Sequence, residues 1–313
     1  NGEIANNNVM KVYGTTDLGT DTGNGDLTGI SGSVLTVNKT VHQNNVNIAG
    51  TLVTNLSDIT AISGIHNSGI INVSGGETQN IITNYNETSG RININGNTTI
   101  SKAVSGNTVY LADNTRTTLA NGGTLDLTGL VSNGGTFTSQ NNNQLDVMKL
   151  GNVVLNNDLL WDIDVNMDTH TADHIDATYV SGAGQIIINT ILIVADPTTS
   201  ADDALPMEIE VLSGTIAQHA RLSADPFKVE GNREDANYWV AYSNTDTTGI
   251  LTFNYGDLYT AIHLTAPVRE YKLLVDEDVQ RNLNRPDGVG MEGEESTLTI
   301  ARSEERFSRN AET

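Results

Sequence analysis

The chain has 313 residues, and its formal net charge at pH 7 is −22. Such a charge repels the phosphate backbone of nucleic acids, and the absence of cysteine excludes a disulfide framework, a cysteine zinc site and a thiol nucleophile. Charged residues make up only 17% of the chain, whereas Asn and Thr together make up about a quarter. Because Thr favours strands and Asn favours turns, this composition excludes a helical bundle. No apolar run is long enough to span a bilayer as a helix.

Residues 1–144 repeat one pattern, in which a short strand of alternating apolar and polar residues is followed by a polar turn with Gly or Asn. The alternation is typical of strands with one buried face. Comparable apolar positions recur at a regular spacing at Leu35, Leu52, Ile71 and Ile92. This spacing is expected when one coil of a β-solenoid follows another, but a β-sandwich also has short strands at regular intervals, so the spacing alone does not decide between the two folds.

The many Asn residues of the repeats favour stacked coils, and we predict an all-β fold: a right-handed parallel β-helix, or β-solenoid, with a less regular β-rich C-terminal part. In stacked coils, an Asn at a left-handed bend can donate its side-chain amide to the coil above or below and so form a ladder. A sugar-binding or ion-binding surface is the functional alternative for these residues. The run at residues 141–143 is interpreted as a solvated loop.

Residues 145–264 differ in texture from the repeats before them. Their strands are longer and more apolar, as at 159–165 and 185–194, and we expect these coils to be better packed, with Ile187 on the inward face. Residues 265–301 are interpreted as a linker or as the start of a further module.

The densest polar cluster of the sequence lies in this second part of the chain. This cluster consists of Asp and His residues, whose carboxylate and imidazole groups are metal ligands. The spacing of the residues matches no standard metal motif, so they are only weak candidates for a metal site. The alternative is that Asp162 and Asp164 lie on the outer face of one strand and that the others decorate a bend. The members are Asp162, Asp164, Asp168, His170 and Asp173, followed by His174 and Asp176.

Catalytic patterns are weaker still. No Gly-x-Ser-x-Gly element is present, and the alternating pair Asp162 and Asp164 is the only one that could imitate the acids of a β-helical polysaccharide lyase or hydrolase. We therefore expect neither an enzyme nor a bound cofactor. Trp161, Tyr238 and Trp239 could stack on sugars, although aromatic residues in apolar strands more often fill the core.

Residues 145–255 carry a resemblance to a known family. The segments at 149–164, 171–176 and 180–188 combine an apolar strand pair with an Ala-Asp-x-Ile and a Ser-Gly-x-Gly-x-Ile pattern. They resemble the passenger domains of bacterial autotransporters, the adhesins of type V secretion. The resemblance implies well-packed C-terminal coils, an extracellular location on a Gram-negative cell, and anchoring to the outer membrane by a C-terminal membrane barrel outside this sequence.

The expected function is thus a surface-exposed adhesin or stalk, a passenger fragment whose receptor is an unknown host or self surface, with a glycan among the candidates. A polysaccharide-degrading β-helix enzyme and an inert spacer are the alternatives. Residues 302–313 resemble the in-frame translation of a sequencing adapter and are expected to be an artefact.

Overall fold

The structure is a computed structural model, and it describes residues 6–83, 90–195, 206–224, 226–227, 238–255, 262–264 and 296–298. The chain forms two compact units, the first made of residues 1–234 and 241–252 and the second of residues 235–240 and 253–313. Among the described residues, none of the helical segments has the length and apolar character needed to cross a membrane.

Nearly all regular structure is β-strand, and the helical segments in the described part of the chain are the 3₁₀ turns Leu56–Asp58 and Thr215–His219. The strands, in chain order, are β1 (Val9–Val12), β2 (Thr15–Leu18), β3 (Asp26–Gly29), β4 (Val34–Val37), β5 (Val41–Ile48), β6 (Thr51–Thr54), β7 (Ile59–Asn67), β8 (Ile70–Val73), β9 (Gly76–Glu77), β10 (Ile81–Ile82), β11 (Arg91–Ile94), β12 (Thr98–Ile100), β13 (Ala103–Ser105), β14 (Thr108–Leu111), β15 (Arg116–Leu119), β16 (Thr124–Asp126), β17 (Gly129–Ser132), β18 (Thr136–Thr138), β19 (Val147–Lys149), β20 (Asn152–Leu155), β21 (Leu159–Asn166), β22 (Thr171–Ala172), β23 (His174–Ala177), β24 (Tyr179–Gly182), β25 (Ile186–Ala195), β26 (Met207–Gly214), β27 (Ala220–Leu222), β28 (Tyr238–Asn244), β29 (Thr248–Tyr255), β30 (Ile262–Leu264) and β31 (Ser296–Leu298).

In the first unit the strands stack in three parallel sheets, because the chain visits the sheets in turn and returns one coil further along. Sheet A runs β1-β3-β5-β7-β10-β13-β16-β19-β23-β26, and sheet B runs β2-β4-β6-β8-β11-β14-β17-β20-β24. Sheet C begins later in the chain and runs β9-β12-β15-β18-β21-β25-β27. The predicted all-β fold, a parallel β-solenoid, is confirmed.

The register of sheet B coincides with the predicted repeat. Leu35 pairs with Leu52, Leu52 with Ile71, and Ile71 with Ile92. All four side chains are buried, each no more than 2% exposed. Because the side chains of a strand alternate between its two faces, one such row fixes the inward face of every coil it crosses.

The coils differ in length. In sheet B, Leu35 pairs with Leu52, whereas Val153 pairs with Val180, so the later coil takes a longer stretch of chain to return to the same sheet. Length alone does not create sheet C, because Ile92 and Val109 are as close in the sequence as Leu35 and Leu52, and β12 of sheet C lies between them. Trp161, on β21 of sheet C, is fully buried in one of the long coils. A cavity of about 20 Å³ remains between these coils, lined by apolar residues that include Trp161.

The inward face predicted for β25 is wrong by one residue. Ile188 pairs with the core residue Trp161 and is fully buried. Ile187 instead pairs with Leu160 on one side and Arg221 on the other, both of which belong to the outward row, and it is 8% exposed. In a continuous apolar run the alternation of side chains carries no signal, so the sequence could not separate the two faces.

The Asn ladder is present in part. At the turns that follow β17 and β20, Asn156 donates to Asn133 in the neighbouring coil at 2.8 Å, although neither residue has the predicted left-handed conformation. Asn93 donates to Asn72 in the neighbouring coil at 2.7 Å, and both residues lie within strands. Left-handed bends in the described residues are mostly glycine, with Asn114, Asn142 and His170 as the other residues of positive φ. Glycine takes these bends because it lacks the Cβ that makes positive φ costly.

In the second unit, β30 pairs antiparallel with β31. This pair includes Thr297, which lies within the segment predicted to be a linker or the start of a further module.

Candidate functional site

Asp162 and Asp164 are not on an exposed strand face, which corrects the structural alternative for this pair. They are 3% and 0% exposed. Both lie on β21, whose middle residues are all buried. The segment between β18 and β19 covers Asp164, whereas Arg116, Asn189 and Thr190 contact the carboxylate of Asp162. The pair therefore cannot reach a polymeric substrate in the way that the acids of a β-helical polysaccharide enzyme must.

Asp164 is bound by the segment that was predicted to be a solvated loop. The main-chain N–H groups of Asn141 and Asn142 donate to Asp164 Oδ2 at 2.8 and 2.6 Å. Asn142 has a φ of 65°, and consecutive N–H groups around such a residue form a concave anion site. The side chain of Asn141 also donates to Leu119 O at 3.0 Å and to Asp146 Oδ2 at 2.6 Å. Residues 141–143 are thus a structured cap over a buried carboxylate.

Asp173 and Asp146 complete a buried carboxylate cluster with Asp164. Asp173 Oδ2 accepts a hydrogen bond from the main-chain N–H of Asp164 at 2.9 Å. Asp164 Oδ1 and Asp173 Oδ1 are buried and have no hydrogen-bond partner among the described residues. Burial raises the pKa of Asp173 to about 8, and the negative charges of Asp164 and Asp146 add to that effect. Burial also raises the pKa values of Asp164 and Asp146, against the hydrogen bonds that they accept.

The remaining members of the predicted metal cluster lie elsewhere. Asp168 and His170 are exposed in the turn between β21 and β22, and His174 Nε2 lies 2.9 Å from Ser213 Oγ. Asp176 is exposed and pairs in register with Lys149. Within the described residues, no group of three or more His, Cys, Asp or Glu side chains could hold a metal ion.

The prediction that Trp161 could stack on a sugar is wrong, because this residue is fully buried and donates its indole N–H to Ser139 Oγ at 3.2 Å. The core alternative is correct for this residue. The side chains of Tyr238 and Trp239 lie outside the described part of the chain.

A polar groove of about 560 Å³ lies at the corner where the chain passes from sheet B to sheet C. Its lining comes from the residues that precede or begin β12, β15, β18 and β21 in four successive coils. They are Asn97, Asp113, Asn114, Thr115, Arg116, Gly135, Thr136, Asp158 and Leu160.

Arg116 provides the positive charge of this groove. Its Nη2 lies 3.1 Å from Asp162 Oδ2, and half of the Arg116 side chain is exposed while Asp162 is covered. Asp162 is held in turn by Asn189 Nδ2 at 2.6 Å and Thr190 Oγ1 at 2.7 Å. The buried carboxylate therefore anchors the guanidinium, which still presents other N–H donors toward solvent.

Two exposed acids flank Arg116 in the lining. Asp158 accepts hydrogen bonds from Gln185 N at 2.9 Å and from Arg221 Nη2 at 3.4 Å. Asp113 Oδ1 accepts the N–H of Asn114 at 2.8 Å. These residues are not among the predicted site residues, because none of them forms a motif within a single coil. Alignment of the coils by their period could have found them, since Arg116 and Thr136 stand at the same register position.

Comparison with known proteins gives no relative: no family model matches this chain, and neither a curated protein nor a solved structure is detectably similar to it.

Proposed function

We propose that this chain is the rod-forming, adhesive part of an extracellular surface protein of a Gram-negative bacterium, and that it is an autotransporter passenger. The observation that carries the proposal is the unbroken row of buried residues in sheet A, which pairs coil to coil from Leu27 to Leu212. Each coil pairs its strands with those of the neighbouring coils, so rigidity extends along the stack while the outward side chains stay available for binding.

Composition supports an extracellular role in two further ways. A chain without cysteine crosses the periplasm without forming disulfides, and a net charge of −22 favours solubility outside the cell. The enzymatic alternative loses its main support, because Asp162 and Asp164 are buried and hydrogen-bonded.

Export and adhesion can be tested in one experiment. The full chain is placed between a secretion signal and the membrane barrel of an autotransporter and is expressed in a Gram-negative host, with the barrel alone as control. We expect antibody and external protease to reach the chain on intact cells, and cells that display it to adhere to epithelial monolayers more than control cells do. A chain retained inside the cell would contradict the passenger assignment, and surface display without adhesion would favour the spacer.

A further inference from the structure

We propose that the groove between sheets B and C binds a neutral saccharide chain. This inference deepens the proposed function by naming a ligand class and a site, although its test uses purified protein and does not depend on export. It rests on the shape of the groove, on its hydrogen-bonding groups and on its charge.

The shape depends on a pair of glycines that precede β18. Gly134 and Gly135 have φ values of 123° and 87°, which other residues rarely adopt. A Cβ on Gly135 would lie 2.7 Å from Thr115 O, and one on Gly134 would lie 2.8 Å from Asp113 Oδ1. The chain therefore turns closely against the previous coil at this point, and no side chain projects from either residue. A space of about 560 Å³ is in the size range of small-molecule sites.

The hydrogen-bonding groups of the groove are held in place before any ligand arrives. Arg116 is anchored by the buried Asp162, and Asp158 is held by Gln185 N and Arg221. Asp113 binds the N–H of Asn114 with one oxygen, which leaves its other oxygen as an acceptor. Fixed carboxylate acceptors and guanidinium donors match the hydroxyl groups of a sugar, each of which both donates and accepts.

An apolar surface lies among these groups, because Leu160 is half-buried and forms part of the lining. The C–H face of a sugar ring can pack on such a side chain while the hydroxyl groups at the ring edge bind the polar residues.

The charge of the groove selects against acidic polymers. Arg116 is paired with Asp162 and Arg221 with Asp158, so Asp113 leaves a net negative charge among these five groups. A polyuronate or a sulfated glycan would be repelled by this site and by the rest of the acidic chain, whereas a neutral chain would not.

The test is a titration of the purified full chain by calorimetry with cellohexaose, maltohexaose and N-acetylchitohexaose, and with an oligogalacturonate as the acidic comparison. We expect at least one neutral hexasaccharide to bind and the oligogalacturonate to bind more weakly. Thr136→Trp should abolish binding by filling the groove, and Asp113→Ala should weaken it about tenfold by removing a charged acceptor.

Matched controls lie on sheet A, away from the groove. Thr124→Trp and Asp126→Ala change the same residue types at exposed positions of β16 and should leave the affinity unchanged. Equal melting temperatures of all four variants exclude misfolding as the cause of a loss.

The inference is overturned if no neutral hexasaccharide binds, if only the oligogalacturonate binds, or if the sheet A variants lose affinity as much as the groove variants. The failure of this inference can be distinguished from the failure of the proposed function. If cells that display the Thr136→Trp variant adhere as well as cells that display the wild type, the chain is still an adhesin, but the groove is not its binding site.

Discussion

The coils between residues 34 and 73 are short, because register partners in sheet B such as Leu35 and Leu52 are close in the sequence. The coils between residues 129 and 182 are long, because partners such as Val153 and Val180 are further apart. The short coils bury aliphatic side chains of medium size, and Leu35 and Leu52 have no exposed surface. The long coils carry Trp161 and the cavity beside it.

The long coils also bury carboxyl groups, which the short coils between residues 34 and 73 do not. Asp162, Asp164 and Asp173 have exposures of 3% or less, and each needs hydrogen bonds from another strand or loop to offset its desolvation. The long coils therefore contain a layer of buried carboxyl groups that the short coils lack.

The inward face of the long coils is tested by placing a charge on each side of β25. Ile188→Asp would bury an unpaired carboxylate beside Trp161 and should prevent cooperative folding of these coils. Ile187→Asp lies in the outward row and should lower the melting temperature much less. Thermal unfolding followed by circular dichroism measures both, and equal effects would mean that the assigned faces are wrong.

Truncation of core side chains compares the two interiors directly. Trp161→Ala should lower the free energy of unfolding by about 3–5 kcal/mol, since it deletes the largest fully buried side chain of the described residues and the partner of Ser139 Oγ. Leu52→Ala in a short coil should cost less, about 2–3 kcal/mol. Urea denaturation of the two variants provides the values, and a larger loss for Leu52→Ala would refute the idea that the long coils depend on Trp161.

The buried carboxylates make the stability of the long coils depend on pH. With its pKa raised to about 8, Asp173 keeps its proton in the folded state at pH values where the unfolded chain has lost it. The free energy of unfolding should therefore fall as the pH rises from about 4 to about 8, by at most about 1.4 kcal/mol per pH unit from this group.

Asp173→Asn should flatten that slope and make the protein more stable than the wild type at pH 8, because the amide cannot ionise and still offers an acceptor to the N–H of Asp164. Asp176→Asn, at an exposed position, serves as the control and should leave the slope unchanged. Urea unfolding on both sides of neutral pH measures the effect, and a slope that persists in Asp173→Asn would assign the dependence to other groups.

The smallest expected effect concerns the cavity. Val109→Ile adds a methylene group next to a void of about 20 Å³ and should be neutral or stabilise the protein by up to about 1 kcal/mol. Val46→Ile adds the same group to a fully buried position outside the lining of that void and should destabilise the protein by about 1 kcal/mol or more. Denaturation midpoints with unchanged slopes distinguish the two outcomes, and destabilisation by both variants would show that the void cannot take the group.

The sequence predicted those features that one coil carries by itself. Leu35, Leu52, Ile71 and Ile92 were correctly placed in one row, because alternation identifies the buried face and the repeat gives the register. In the continuous apolar run around Ile187 alternation is absent, and there the predicted face was wrong.

Features that depend on contacts between coils could not be predicted in this way. The burial of Asp164 depends on a covering segment from the preceding coil, and residues 141–143 show no sign of that role in their own composition. The carboxylate of Asp162 is contacted by Arg116 from an earlier coil and by Asn189 and Thr190 from a later one. The groove combines Arg116 with Asp158 from a later coil, and the sequence does not show that the two meet.

The strand register between neighbouring coils can be measured by disulfide cross-linking, because the chain contains no cysteine of its own. Adjacent strands place register partners about 4.8 Å apart, within reach of a disulfide, whereas residues two coils apart are out of reach. Oxidation of the double variant Thr36→Cys and Val53→Cys should form the cross-link in high yield in a short coil, and Val131→Cys with Val154→Cys should do so in a long coil.

The double variant Thr36→Cys and Asn72→Cys, with its two positions separated by two coils, should form no such cross-link. A cross-link between positions 36 and 72, or none between positions 36 and 53, would contradict the stacked-coil account.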